Sequence, residues 1–95
     1  MVTGGARVIK LDVSAILTPE ELHHLIATTF GFPDYYGCNW DAFDECIREI
    51  AIPVEIHIEG MSNLNSMLPR DGKSFRRCLA YFAEQMPNEA VSLYF

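Results

Sequence analysis

Apolar positions along this chain switch between two periods, and the switches mark its elements. From Ala6 to Val13 they alternate loosely, Val8 and Lys10 against Ile9 and Leu11, which predicts a strand. Thr18-Pro19-Glu20-Glu21 then supplies an N-cap threonine, a proline at the first helical position and a glutamate three residues after the cap, the capping-box pattern. Leu22, Leu25, Ile26 and Phe30 follow at helical spacing, and Gly31 is placed to end that helix. Phe32 to Cys38 reads as a loop punctuated by Pro33 and Gly37. A second helix is predicted from about Trp40 to Ile50, capped by Asn39, with Phe43, Cys46, Ile47 and Ile50 as its apolar stripe. Past Pro53 the pattern turns to strict alternation: Val54, Ile56 and Ile58 against Glu55, His57 and Glu59. That predicts a strand with one wet face or at one edge. Met61 to Leu68 is a short, weak helix, and Asp71 to Met86 a stronger one with Phe75, Leu79, Phe82 and Met86 in line. Pro87 ends it, and Ala90 to Phe95 is a last strand.

The predicted order is β-α-α-β-α-α-β. Strands joined through helices favour parallel pairing, so the expected fold class is α/β, a three-stranded parallel sheet packed with about four helices. At 95 residues, about half of them hydrophobic, the chain is expected to form one domain over residues 1–95 around a single core. Three cysteines without a CxxC pair favour neither a disulfide framework nor a zinc knuckle. The start, MVTGGARVIKLDV, lacks the apolar stretch of a signal peptide, and no apolar run approaches the ~20 residues of a membrane span. A cytoplasmic protein with reduced thiols and no membrane contact is the expectation.

Charge changes the picture more than composition does. The net charge is −6, and between Leu11 and Leu68 ten acidic residues stand against one basic residue, Arg48. A clustered basic patch, the usual footprint of a nucleic-acid binder, is missing there, and direct nucleic-acid contact is not expected. The acids concentrate in Asp34 to Glu49, DYYGCNWDAFDECIRE, where five carboxylates accompany two tyrosines and the tryptophan. On a helix opening at Asn39, Asp41, Glu45 and Glu49 fall at i, i+4 and i+8. Like charges at that spacing oppose helix formation by roughly 0.2–0.5 kcal/mol per pair. Glu49 would also meet the negative end of the helix dipole. A segment carrying both penalties is holding negative charge for a basic partner or a divalent cation, or is a solvated face.

Candidate chemistry elsewhere is thin. Cys46 lies on the apolar stripe and reads as a small core residue. Cys38 precedes a helix start, where a thiolate is favoured, but no histidine stands near it in sequence. His23 and His24 are adjacent and cannot share a helix face. Glu55, His57 and Glu59 share a strand face and read first as an exposed polar surface. Asp41 and Glu45 lack any EF-hand loop around them. No catalytic residue, metal site or cofactor is assigned. Tyr35, Tyr36 and Trp40 beside the carboxylates have the make-up of a protein-binding hot spot, or else of a staple packed into the core.

The stretch YYGCNWDAFDECI resembles the helix-two signature of the barstar family of bacterial ribonuclease inhibitors, roughly YYGxNxDAxxDxL. Tyr35, Tyr36, Gly37, Asn39, Asp41 and Ala42 stand at matching places. Outside this helix and the preceding Phe32 to Gly37 loop, the similarity extends through the element order only. The resemblance implies that the helix and loop lie across the active site of a small, basic, extracellular-type ribonuclease, with carboxylates where RNA phosphates would sit. It implies a non-enzymatic immunity protein or antitoxin. By position it implies that Glu45 takes the key acidic role, with a side chain one methylene longer than the family aspartate, and that Asp41 is a second contact. Tyr35, Tyr36, Gly37, Asn39 and Trp40 match loop and helix-start contacts, and Glu84 matches a supporting acid from the last helix. Asp44 stands where the family has a bulky aromatic, Cys38 where it has an acid, and Arg48 brings a positive charge to the face, where it can pair with Asp44 at i, i+4. Partner-binding residues are therefore expected at Tyr35, Tyr36, Gly37, Asn39, Trp40, Asp41, Asp44, Glu45 and Glu84. Two alternatives remain: an antitoxin of a non-ribonuclease toxin using the same helix, or a carboxylate-based divalent-metal enzyme.

Overall fold

The structure is a computed structural model and describes residues 7–95. Its elements are β1 (Arg7–Asp12), α1 (Pro19–Phe30), α2 (Trp40–Ile47), β2 (Val54–Glu59), α3 (Met61–Met67), α4 (Pro69–Gln85) and β3 (Val91–Tyr94). The three strands form one parallel sheet in the order β1-β2-β3, so the α/β architecture read from the pattern is the one found. Ala6, the expected first strand residue, and the residues before it that were read for a leader lie outside the described residues.

The register puts Ile9 beside Ile56, Leu11 beside Ile58, and Ile56 beside Leu93. Ile9, Leu11, Val54, Ile56 and Ile58 are buried on that face under the helices. The opposite face carries Val8, Lys10, Asp12 and Glu59, all exposed, with Glu55 and His57 half-buried. All-parallel sheets are usually covered on both faces. Here the central strand keeps a wet side, which is what the strict alternation of Val54 to Glu59 encodes.

Local chemistry sets the helix ends. The Thr18 Oγ1 accepts from the Glu21 N–H at 3.2 Å, while Glu21 Oε1 accepts from the N–H groups of Thr18 at 3.1 Å and Leu17 at 2.8 Å. The capping box thus forms as expected. Gly31 closes α1 in the left-handed region at φ 73°. Between β2 and α3, Gly60 has φ 81°, and a Cβ there would lie 2.6 Å from the backbone of Ser14. Any side chain would collide with main chain as well as strain the backbone.

Most boundaries fall within one residue of expectation, and two differ by more. α4 starts at Pro69, two residues before Asp71, because proline suits the first helical position. α2 ends at Ile47, and Glu49 and Ile50 follow in tight turns, their N–H groups donating to Cys46 and Ile47 three residues back. Glu49 therefore stands just past the C-terminal end of the helix and not in its last turn.

Candidate partner-binding surface

α2 is short, and its position comes from its ends and its underside. Asn39 is extended, at φ −141° and ψ 168°, and its Oδ1 accepts from the Ala42 N–H at 2.8 Å. Asp41 lies in the first turn, where the dipole favours a carboxylate. Phe43 and Ile47 are fully buried. Phe43 meets Phe30, Phe32, Trp40 and Phe75 at ring-centroid distances of 5.5–6.1 Å, mostly edge to face. Asp41 and Glu45, one turn apart, are both exposed.

The loop before α2 is anchored from within. Tyr36 is 8% exposed, packs on Phe32 at 5.1 Å, and its hydroxyl lies 2.7 Å from Nδ1 of His23 on α1. Burial pushes the Tyr36 phenol well above the usual tyrosine range, with the nearby cysteine thiols adding to the effect. Trp40 packs on His23 at 4.6 Å, and its Nε1–H donates to Asp71 Oδ1 of α4 at 3.0 Å. Between these anchors Gly37, Cys38 and Asn39 are exposed, and Cys38 holds φ 53°, a conformation costly for a side-chain-bearing residue. Tyr35, by contrast, is 84% exposed.

The nine expected contact residues therefore divide. Tyr35, Gly37, Asn39, Asp41 and Glu45 present themselves to solvent along the loop and α2. Tyr35, Gly37 and Glu45 line an open cleft of about 830 Å³, together with Arg7, Arg48 and Glu49. Tyr36 and Trp40 turn inward and hold the loop. Asp44 also turns inward: its Oδ1 is sheltered from solvent and has no hydrogen-bond partner among the described residues. It faces Cys78 of α4, whose thiol is pushed up to about 12 by burial first and then by this carboxylate. Glu84 is exposed on α4, and no hydrogen bond or ion pair joins it to α2 among the described residues.

The Arg48–Asp44 pair does not form. Among the described residues the one contact at ion-pair distance is His57 Nε2 to Glu55 Oε1, at 3.2 Å, an ion pair when the ring is protonated. Asp44 is drawn toward α4, which leaves Arg48 alone on the surface. Asp41, Glu45 and Glu49 likewise form no ion pair among the described residues, although Arg7 and Arg48 line the same cleft as Glu45 and Glu49. Cys46 is half-buried, and burial, reinforced by Glu45 and Glu49, raises its thiol above the ordinary range.

Sequence reasoning missed two supports of this surface, His23 and Asp71. For His23 a signal existed. With Ile26 and Phe30 it makes an i, i+3, i+7 set, so the apolar stripe of α1 already contained it. Asp71 carried no such signal, because its partner lies 31 residues away in sequence.

The fold and this surface together define a small α/β domain that displays unpaired carboxylates from a capped helix on a rigid aromatic base. Comparison with known families agrees with that description: the family model Barstar (barnase inhibitor) matches residues 6–95. The chain belongs to the barstar family. No curated protein matches it at a significant level.

Proposed function

We propose that this chain is an immunity protein, not an enzyme, that blocks a small basic ribonuclease in the cytoplasm of the cell that makes it. In this reading α2 and the Tyr35–Asn39 loop dock across the nuclease active site. An active site for RNA must direct Arg, Lys and His donors toward phosphates. Asp41 and Glu45 satisfy those donors by charge-assisted hydrogen bonds. Tyr35, Gly37 and Asn39 add loop contacts, Glu84 adds charge from α4, and Tyr36, Trp40 and Asp44 serve from beneath. Opposite fields speed the encounter, and salt weakens them. RNA has no part in the complex, because the carboxylates take its place.

The observation that carries this reading is the pair of exposed carboxylates, Asp41 and Glu45, with no ion-pair partner among the described residues on a helix whose other face is locked into the core. Titration against a guanyl-specific ribonuclease of the barnase type tests it. Glu45→Ala is expected to weaken inhibition by more than about ten-fold with the fold intact, the size of one lost charge-assisted hydrogen bond. Unchanged inhibition would remove Glu45 from the site. A wild-type chain that inhibits no such ribonuclease would overturn the reading, and capture of a different basic toxin on α2 would redirect it.

A further inference from the structure

Tyrosine and cysteine aside, His23 is the one buried polar side chain among the described residues, 3% exposed, and the proposed docking face does not use it directly. It touches both ends of the exposed segment Gly37-Cys38-Asn39. On one side its Nδ1 meets the Tyr36 hydroxyl at 2.7 Å. On the other its ring lies against Trp40, 4.6 Å between centroids and tilted by 52°. Trp40 in turn is tied to Asp71 of α4. One imidazole on α1 thus fixes the residue before the exposed segment and the first residue of α2.

We propose that His23 is a positioning residue for the partner-binding surface, and that its neutral ring holds the Tyr36–Trp40 segment in its docking shape while protonation releases it. The proposal rests on the inhibitory reading of that surface. The hydrogen-bond arithmetic supports it. Among the described residues the Tyr36 hydroxyl has one partner, His23 Nδ1; with the ring proton on Nε2 the phenol donates and Nδ1 accepts, the tautomer that leaves no phenolic proton unpaired. A proton on Nδ1 would reverse that bond. The phenolic proton would lose its acceptor inside the core, and a positive charge would sit beneath the loop. Asp71 from α4 and Glu20 from α1 are the charged groups that face the ring, and both favour the protonated form. Burial outweighs them and holds the imidazole below the usual histidine range. A base lowered on folding binds its proton more readily when released. Its contribution is therefore complete above about pH 6.5, the ordinary histidine value, and is lost as pH falls through the folded value.

Two measurements test this. In the free protein, amide exchange at Ala42, whose N–H is held by the Asn39 cap, is followed as protection factors from about pH 7.5 to about pH 5 beside the NMR titration of the His23 ring. Protection is expected to fall by up to roughly ten-fold with the same midpoint as the ring, the range of one net hydrogen bond. It is expected to be flat with pH in His23→Phe, which keeps a flat ring against Trp40, and to fall less than in wild type in Tyr36→Phe, which deletes the hydroxyl and leaves the titrating ring. In the complex, affinity for the barnase-type ribonuclease is compared between wild type and each variant at every pH, so that titration of the ribonuclease cancels. The variants are expected to be up to about ten-fold weaker at neutral pH and to converge on wild type in acid. An affinity ratio constant with pH, or Ala42 protection indifferent to the His23 titration, overturns the proposal. If the wild type binds no such ribonuclease, the inhibitory reading falls, and the amide measurement still decides the positioning role. Should His23→Phe fail to fold, Tyr36→Phe carries the same test.

Discussion

Two surfaces of this molecule carry rows of acidic residues, and they differ in the company those acids keep. On the open face of the sheet, Glu55 and Glu59 flank His57 on β2. Glu55 pairs with His57 at 3.2 Å, and the His57 ring stacks on Tyr94 at 4.5 Å, nearly parallel. The register places Lys10 directly beside His57. Asp12 on the same face accepts from the N–H and hydroxyl of Ser14 at 2.9 and 2.6 Å, and those bonds lower its pKa. On α2, Asp41 and Glu45 have no such company among the described residues. Their helix instead has a buried aromatic base, which fixes the charges without neutralising them. Acidic composition alone does not separate the two surfaces. The neighbours do, and they are a property of topology: β1 brings Lys10 and β3 brings Tyr94 to either side of His57 on β2, whereas Asp41 and Glu45 make no hydrogen bond or ion pair to another element among the described residues.

The contrast can be broken at several points. The largest effect is expected from the base beneath α2. Phe43 is fully buried among four other aromatic rings, and Phe43→Ala is expected to cost about 3–5 kcal/mol in urea unfolding. A loss below about 1 kcal/mol would mean that α2 is not rigidly seated. Next comes the field. Association with the barnase-type ribonuclease is expected to slow by roughly ten-fold or more between low and high salt, and Asp41→Asn combined with Glu45→Gln is expected to abolish most of that dependence. A salt response that survives the double substitution would move the docking surface elsewhere. Removing the cap by Asn39→Ala is expected to cost about 1 kcal/mol, read in the melting transition. The smallest effect belongs to the other surface. Glu55→Gln is expected to leave ribonuclease binding unchanged and to alter stability by no more than about 0.5 kcal/mol, since its pairing with His57 is part-exposed. A large binding defect there would make the sheet face, not α2, the point of contact.

Much of the fold was legible because neighbouring residues encode it. The Thr18 to Glu21 cap, the Gly31 stop and the alternation of β2 are local signals, and each appears in the structure where the pattern put it. The end of α2 was not legible. Ile50 continues the apolar spacing of Phe43, Cys46 and Ile47, yet a side chain can reach the core from a tight turn as well as from a helix. The exposed members of the candidate site, Asp41, Glu45 and Tyr35, followed from helix phase and from the family signature. The inward turn of Asp44 and the Trp40–Asp71 bond did not, because each depends on α4, which lies about 30 residues further along the chain. Sequence pattern reports which face of an element is apolar. It does not report which distant element will supply the last hydrogen bond.

The chain's single tryptophan stands at the first turn of α2, between the imidazole of His23 and the carboxylate of Asp71. Its intrinsic fluorescence is therefore a built-in reporter. Indole emission responds to the polarity around the ring and to quenching by a nearby imidazolium, so docking on α2 and titration of His23 would each leave an optical trace without any label attached.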